Sequence, residues 1–523
     1  MAEETRNEFL RKIMKAPPAE FGMILYKSAE NYAQTQEQTL LDILAHAKNS
    51  EYGKKFHFDR IENAGDFRRY VPITEYSDYL PYIERMKKGE EDVLFDGKTS
   101  SFARSSATTG KAKYIPDSST GELVKKIVMG IRSMEMLRCC PAALTADGKM
   151  MAITNLSVFE KTEGGIPVGS ASGQAAESDP EAAKRVAIPA AMRSATELKV
   201  EDVDYLTALF GFAERNVLML GCNNVAHFNI LVKLFNDRFA DFIRDIRRGT
   251  ISVDMSDGLR DKLMKDWKPN PERAGELEQI RSEKGTLTTG DIWNNFKFVC
   301  CWLSAGVGRI AKEMKNIFPE NTVFLDWGYG ASEGKFNVPV STDFSGGPVV
   351  PFGYFYEFLP LGKKETVLLD ETEDGGRYEF VLTSYSGFYR YNIHDIVEIR
   401  VDSDGVRNME FICKSSDSIS LGQSTLYSAD LTDIVERYEA KNKTMLRIFQ
   451  GKEKDGKLML YVEPVDQGMD KNGFELFLED ELKKFGIALV GIEWKEDGYR
   501  DSLFIKRLHD GSSVNQTKLP VFI

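Results

Sequence analysis

Residues 298–334 read FVCCWLSAGVGRIAKEMKNIFPENTVFLDWGYGASEG. Phe298 to Leu303 is a short unbroken apolar run, the pattern of a strand buried on both faces. It ends in a loop, Ser304 to Gly308. Ile310 to Ile317 has the apolar spacing of a helix and stops before Pro319. Thr322 to Leu325 is the next strand, and it runs straight into DWGYGASEG. Strand, helix, strand is the unit of a parallel α/β sheet, whose ligand sites are built in the loops at the carboxyl ends of the strands.

Outward from this unit the pattern persists. Upstream, Met150 to Ile153 and Val217 to Leu220 read as strands, Leu206 to Glu214 as a helix, and HFNILVKLFNDRFADFIRDI (227–246) as one long amphipathic helix. The region up to about Leu80 is largely helical, with Leu40, Leu41, Ile43 and Leu44 at helical spacing. Downstream come strands with hairpin turns: Tyr354 to Phe358, Val367 to Leu369 and Tyr378 to Leu382, with DETEDGG turning between the last two. At KSSDSISLG the apolar pattern lapses, and 414–422 reads as a hinge. Beyond it lies an α+β segment: helices at Leu431 to Tyr438 and Phe474 to Phe485, a hairpin of Leu446 to Phe449 with Leu458 to Val462, and a strand at Leu503 to Leu508. The chain thus divides into a large α/β domain (1–413), with mixed sheets and a β-subdomain, and a small C-terminal α+β domain (423–523). Its 523 residues suit that division.

Composition excludes several classes. The 80 acidic residues outnumber the 68 Lys and Arg, for a formal net charge of -12. A nucleic-acid surface needs clustered cations, and the one basic run, Arg244 to Arg248, is a short solvated helix end. No apolar run is long enough for a membrane span, and Met1 to Lys15 lacks the apolar core of a secretory signal. The six cysteines (139, 140, 222, 300, 301, 413) form neither a disulfide framework nor a zinc pattern. They read as buried residues of a reduced, cytoplasmic protein, expected to be monomeric. No histidine stands in a metal-ligand spacing, and no nucleophile–base pair is recognisable.

Four segments carry candidate chemistry. SSATTGKAKYIP (105–116) gathers Ser105, Ser106, Thr108, Thr109, Gly110, Lys111 and Lys113. Hydroxyls, backbone N–H groups and ammonium groups are what a polyphosphate requires, although the spacing is not that of a P-loop. In YGASEG (329–334), Tyr329 could stack on a base, Ser332 could bond a phosphate and Glu333 could hold Mg²⁺ beside it. In SGFYRYNIHDIVEI (386–399), Asp395 could accept both hydrogen bonds of a ribose diol, and Lys414 could reach the same nucleotide. The last, GSSVNQTKLPVFI, presents Lys518.

Taken in this order, the segments resemble the adenylate-forming ligases. FYEFLP (355–360), FYRYNIHDIV (388–397) and VNQTKLP (514–520) make the chain similar, within that group, to the auxin-responsive acyl acid amido synthetases and their microbial relatives. LLDILAHAKNSEYGKKF and PITEYSDYLPYIERMKKGE extend the likeness over residues from about 37 to the end. The resemblance implies the adenylate-forming fold with a mobile C-terminal domain, and ATP with Mg²⁺. It implies that Ser105, Ser106, Thr108, Thr109, Gly110 and Lys113 hold the phosphates, that Tyr329, Ala331 and Ser332 line the nucleotide, and that Glu333 binds the metal. Asp395 would hold the ribose, Lys414 would stand at the basic position before the hinge, and Lys518 would approach the α-phosphate on closure. Two residues depart from the family pattern, Ala107 and His394, where glycine is usual. His394 lacks glycine's freedom at positive φ.

The reaction implied joins a small carboxylic acid, through acyl-AMP, to an amine such as an amino acid. Met150 to Gly173 and Trp302 to Gly308 are the expected acid pocket. An acyl-CoA ligase sharing the first step, and a nucleotide-binding protein that has lost turnover, stand as alternatives.

Overall fold

The computed structural model describes residues 20–104, 113–143, 148–153, 158, 160–170, 185–466, 468–503 and 519–523. The parallel sheet expected around residues 298–334 is present. Its strands run in the order Lys149–Ile153, Val217–Cys222, Phe298–Cys301, Val323–Asp326, every neighbour parallel. Every residue of the two central strands is buried, which explains their unbroken apolar runs. Helices Val200–Ala213, Val225–Asp237 and Ala305–Glu313 pack on the sheet and close one apolar core.

A second core spans the N-terminal helices and a six-stranded, antiparallel sheet containing Phe355–Pro360, Gly376–Thr383, Tyr391–Val401 and Arg407–Lys414. Gln36 ties the two together. Its amide donates to the carbonyls of Pro351 (2.7 Å) and Tyr354 (2.8 Å) and accepts from Tyr356 N–H (2.8 Å), so this buried glutamine has its polar atoms matched. The helix Ser119–Cys139, 21 residues long and capped by Ser118, lies between these parts and reaches the candidate site.

The C-terminal part has its own core: helices Ser428–Asn442 and Lys471–Lys483 against the sheet Leu446–Lys454, Lys457–Pro464, Leu489–Trp494. Its contacts with the rest of the chain include many charge pairs. Arg309 forms a bidentate pair with Glu439 (2.8 and 2.7 Å), Lys312 meets Glu436 (3.1 Å), Arg447 meets Glu313 (3.2 Å), and Arg377 meets Asp433 (2.7 Å).

Several expected elements change. The 227–246 helix is two, Val225–Asp237 and Phe239–Arg248, broken at Arg238 (φ -107°, ψ 27°). The loop expected at Ser304 to Gly308 is already helix from Ala305. Residues 414–422 are not all linker, because Ser418–Leu421 pairs with Ser424–Tyr427 as a hairpin. Among the described residues the last strand is Leu489–Trp494, parallel to Lys457–Pro464. Leu503 is helical, and residues 504–508 of the expected strand lie outside the described residues. No helix among the described residues is long and apolar enough to cross a membrane.

Glu410 and Asp326 give the fold a pH signature. Burial, with Glu398 and Asp326 nearby, pushes Glu410 up to about 7 against the opposing Ser345 hydroxyl and Arg400; burial likewise raises Asp326 to about 6. Between the ordinary carboxylate range and about pH 7 the folded state therefore binds protons that the unfolded state has released, so stability falls as pH rises through that window. Glu410→Gln should remove its share. Relative to wild type, the variant should gain on the order of 2 kcal/mol at pH 8 over its standing at pH 5. Urea denaturation at the two pH values measures this, and parallel curves for the two proteins would show Glu410 to be uninvolved.

Candidate active site

The loop Trp327–Gly334 leaves the carboxyl end of the last parallel strand and crosses towards the antiparallel sheet. Its shape is set by residues that bind its backbone. Arg132, 6% exposed, donates to the carbonyls of Tyr329 (2.8 Å) and Asn337 (3.0 and 2.8 Å). Asn337 accepts from Tyr329 N–H at 2.7 Å. Lys125, paired with buried Asp117 (2.6 Å), donates to the Ser332 carbonyl at 3.2 Å. A β-carbon at Gly334 would fall 2.5 Å from the Phe336 ring and 2.7 Å from that of Tyr354, so the turn closes only on glycine.

Asp395 sits at the centre, on Tyr391–Val401, 4% exposed. One carboxylate oxygen accepts from Tyr329 Oη at 2.8 Å and the other from Lys414 Nζ at 2.6 Å. Asp395 and Lys414 are cross-strand partners, which fixes their approach. Burial opposes the Lys414 charge, yet Asp395 holds the ammonium above its ordinary value. Tyr329 is raised well above the usual phenol range by burial and by Asp395, so it stays a donor. Its ring stacks on Phe411 (centroids 5.5 Å apart) and is 6% exposed. The expected stacking of a base on Tyr329 thus finds little ring surface; the hydroxyl, aimed at Asp395, is the part placed to act.

Glu333 is buried beside this group. Burial raises its carboxyl; Lys113 and Lys414 pull it down and Asp395 pushes it up. Lys113 donates to Tyr391 Oη at 3.1 Å and lies over the rings of Tyr76 (5.1 Å) and Tyr391 (5.7 Å). Among the described residues no group of three or more His, Cys, Asp or Glu gathers as a metal site. A single buried carboxylate suits Mg²⁺, which takes one or two protein carboxylates and leaves its remaining positions to phosphate and water.

The structure therefore brings together Lys113, Tyr329, Glu333, Asp395 and Lys414. Ala331 packs at the edge of the core behind them, its N–H on the Gly334 carbonyl. Ser105, Ser106, Ala107, Thr108, Thr109, Gly110 and Lys518 lie outside the described residues, as do parts of the expected acid pocket. His394 has φ 60°, the left-handed region in which glycine is at ease and histidine is tolerated. Its N–H bonds Asn392 Oδ1 at 2.9 Å and its ring reaches Glu75, contacts that hold the geometry without glycine.

The letters G-x-S-x-G occur at Gly330–Gly334, a match the sequence reading passed over. A nucleophile elbow needs a strand-to-helix turn. Here the segment closes on itself through a Gly330–Lys335 bridge and no helix follows, which sets a serine hydrolase aside. The reading also missed Arg132, Asn337, Lys125 and the pair Glu357–Arg390. Only the last had a visible signal: one acid and one base inside aromatic strands, FYEFLP and FYRYN.

A buried carboxylate held by Tyr329 and Lys414, a second buried carboxylate beside it and a loop at the end of a parallel sheet stand in a fold shared with the adenylate-forming ligases. The structure of 2-hydroxyisobutyryl-CoA ligase in its postadenylation state with 2-HIB-AMP has this fold, with a TM-score of 0.54 over 93% of this chain and 88% of that chain at 11% identity. GH3.15 acyl acid amido synthetase matches more fully, with a TM-score of 0.79 over 97% of this chain and 94% of that one at 21% identity. The chain belongs to the GH3 family: the GH3 family N-terminal domain matches residues 23–323 and the GH3 family central domain residues 347–414. Jasmonoyl–L-amino acid synthetase of Nicotiana attenuata is 24% identical over 426 residues, 77% of this chain and 72% of that protein.

Proposed function

We propose that this protein activates a small carboxylic acid with ATP and Mg²⁺ and joins it to the amine of an amino acid, as an acid–amino acid ligase of the cytoplasm. The observation that carries this reading is the convergence of Asp395, Lys414, Tyr329 and Glu333 at the carboxyl end of the parallel sheet, in a chain of the GH3 family. Asp395 would take the ribose hydroxyls. Ser105, Ser106, Thr108, Thr109, Gly110 and Lys113 would hold the phosphates, and Ser332 and Ala331 would line the nucleotide. Glu333 would hold Mg²⁺, which supplies charge neutralisation at the phosphate oxygens.

An oxygen of the substrate carboxylate attacks the α-phosphorus, and the bond to pyrophosphate breaks. The amine nitrogen then attacks the acyl carbon, the bond to AMP breaks, and the nitrogen loses a proton. Lys518 would neutralise charge in the first step, carried there by a C-terminal domain (423–523) that moves on residues 414–422 relative to 1–413. The separate apolar core of that domain supports this, because two parts with cores of their own, joined in part through charge pairs such as Lys312–Glu436 and Arg377–Asp433, can shift relative to one another.

The test is a panel of carboxylic acids in ATP–pyrophosphate exchange, followed by mass spectrometry with amino acids and CoA offered together. An N-acyl amino acid is the expected product. An acyl-CoA product would reassign the acceptor, and no exchange with any acid would end the reading.

A further inference from the structure

The loop that carries Ser332 and Glu333 is flanked by an excess of buried positive charge. Lys335 follows it immediately and folds back over it. A β-carbon built at Gly330 would lie 2.8 Å from Lys335 Cδ and 3.2 Å from its Nζ, so position 330 has to be glycine for the amine to rest there. The Lys335 backbone N–H is fixed on Tyr354 Oη at 3.0 Å. The nearby cations are Arg132 and Lys125, which stand two turns apart on the helix Ser119–Cys139.

The carboxylates in reach are already engaged. Asp117 pairs with Lys125 and accepts from Ser386 (2.5 Å). Asp326 interacts with Arg132 but binds the Leu303 N–H (2.9 Å) and the N–H groups of its own turn. Glu333 faces the other way, towards Lys113, Asp395 and Lys414. Arg132 spends its hydrogen bonds on carbonyls. Among the described residues neither Arg132 nor Lys335 forms an ion pair with a carboxylate. Three cations thus meet two carboxylates, so an anion set between the Lys335 ammonium and the Arg132 guanidinium would be held by charge-assisted hydrogen bonds from both.

We infer that Lys335, backed by Arg132, binds a substrate carboxylate other than the one being activated. Two sources share that chemistry. One is the α-carboxylate of the amino-acid acceptor, which survives into the product. The other is a second carboxylate on the acid. Lys335 is then a specificity-determining residue, selecting a substrate without taking part in bond making. The inference rests on the amide-forming reading above.

Two substrate series separate the sources. In one, each amino acid is compared with its carboxamide as acceptor. In the other, hexanoate is compared with adipate, and phenylacetate with 4-carboxyphenylacetate, as acid. Wild type should favour the carboxylate-bearing member in one series, and Lys335→Met should lower that preference about tenfold while the KM for ATP and the melting temperature hold. Lys335→Arg should keep part of the preference, and Lys335→Gln serves if the methionine variant misfolds. No preference in either series, or a preference that survives Lys335→Met, overturns the inference while amide formation stands. Absence of any amide with wild type takes down both readings.

Discussion

Replacing Glu357 by alanine is expected to destabilise the protein by about 3–5 kcal/mol, enough to unfold much of it at physiological temperature. The Glu357 side chain is 1% exposed and accepts from Arg390 Nε (2.9 Å), Arg390 Nη2 (3.0 Å), Arg68 Nε (3.2 Å) and the Thr366 hydroxyl (2.5 Å). Arg390 is itself 8% exposed at the side chain. It keeps carbonyl bonds to Arg68 and Val71, but truncating Glu357 leaves its charge unmatched inside the sheet. The backbone of Arg390 stands at φ 50°, a strained position that the pair helps to hold. Five residues further along lies Asp395, so the loss should also be felt as weaker nucleotide binding. Guanidinium denaturation gives the magnitude, and the double replacement Glu357→Met with Arg390→Met should lose less than the two single changes added together. A single-variant loss below about 1 kcal/mol would show the pair to be solvated.

Glu333→Gln should slow ATP–pyrophosphate exchange by about 10²–10³-fold. The change is isosteric and removes a charge. Burial, Lys113, Lys414 and Asp395 all bear on this carboxyl, and the other carboxylate among them, Asp395, is already bonded by Tyr329 and Lys414. The neutral amide is a poor ligand for a hard cation. The Mg²⁺ concentration giving half-maximal rate should therefore rise along with the fall in rate, while the melting temperature is held or raised, because a buried charge has been deleted. An unchanged Mg²⁺ requirement would move the metal site elsewhere.

The parallel sheet was legible because both of its central strands are buried on both faces, and such strands write themselves as FVCC and VLMLGC. The β-subdomain was legible from its turns. Three features were not. The break at Arg238 leaves the apolar period of 227–246 intact, so periodicity could not reveal it. The hairpin at 418–427 is polar and short, and polar two-stranded ribbons look like linkers. The long helix Ser119–Cys139 mixes charge through its buried face, at Arg132 and Glu135, which obscures the helical stripe. Asp395, Lys414, Glu333 and Tyr329, which the structure brings together, were singled out through motif order. Arg132 and Lys125 were not, because each acts on loop backbone from roughly two hundred residues away and such contacts leave no local pattern; Asn337, only eight residues from Tyr329, was passed over as an ordinary polar residue.

Asp395 reaches any ligand with both oxygens already occupied, one by Tyr329 and one by Lys414. Each oxygen keeps a second acceptor site, so a hydroxyl that bonds there shares the carboxylate with these donors or takes the place of one. Lys414 is the last residue of its strand, directly before the turn that leads to the C-terminal part. A ligand hydroxyl that takes the place of Lys414 would therefore couple the occupancy of Asp395 to the position of that turn. Linkage makes the coupling reciprocal: whatever fraction of its binding energy a ligand loses in dislodging Lys414, a shift of the turn that frees Lys414 returns to the ligand as affinity.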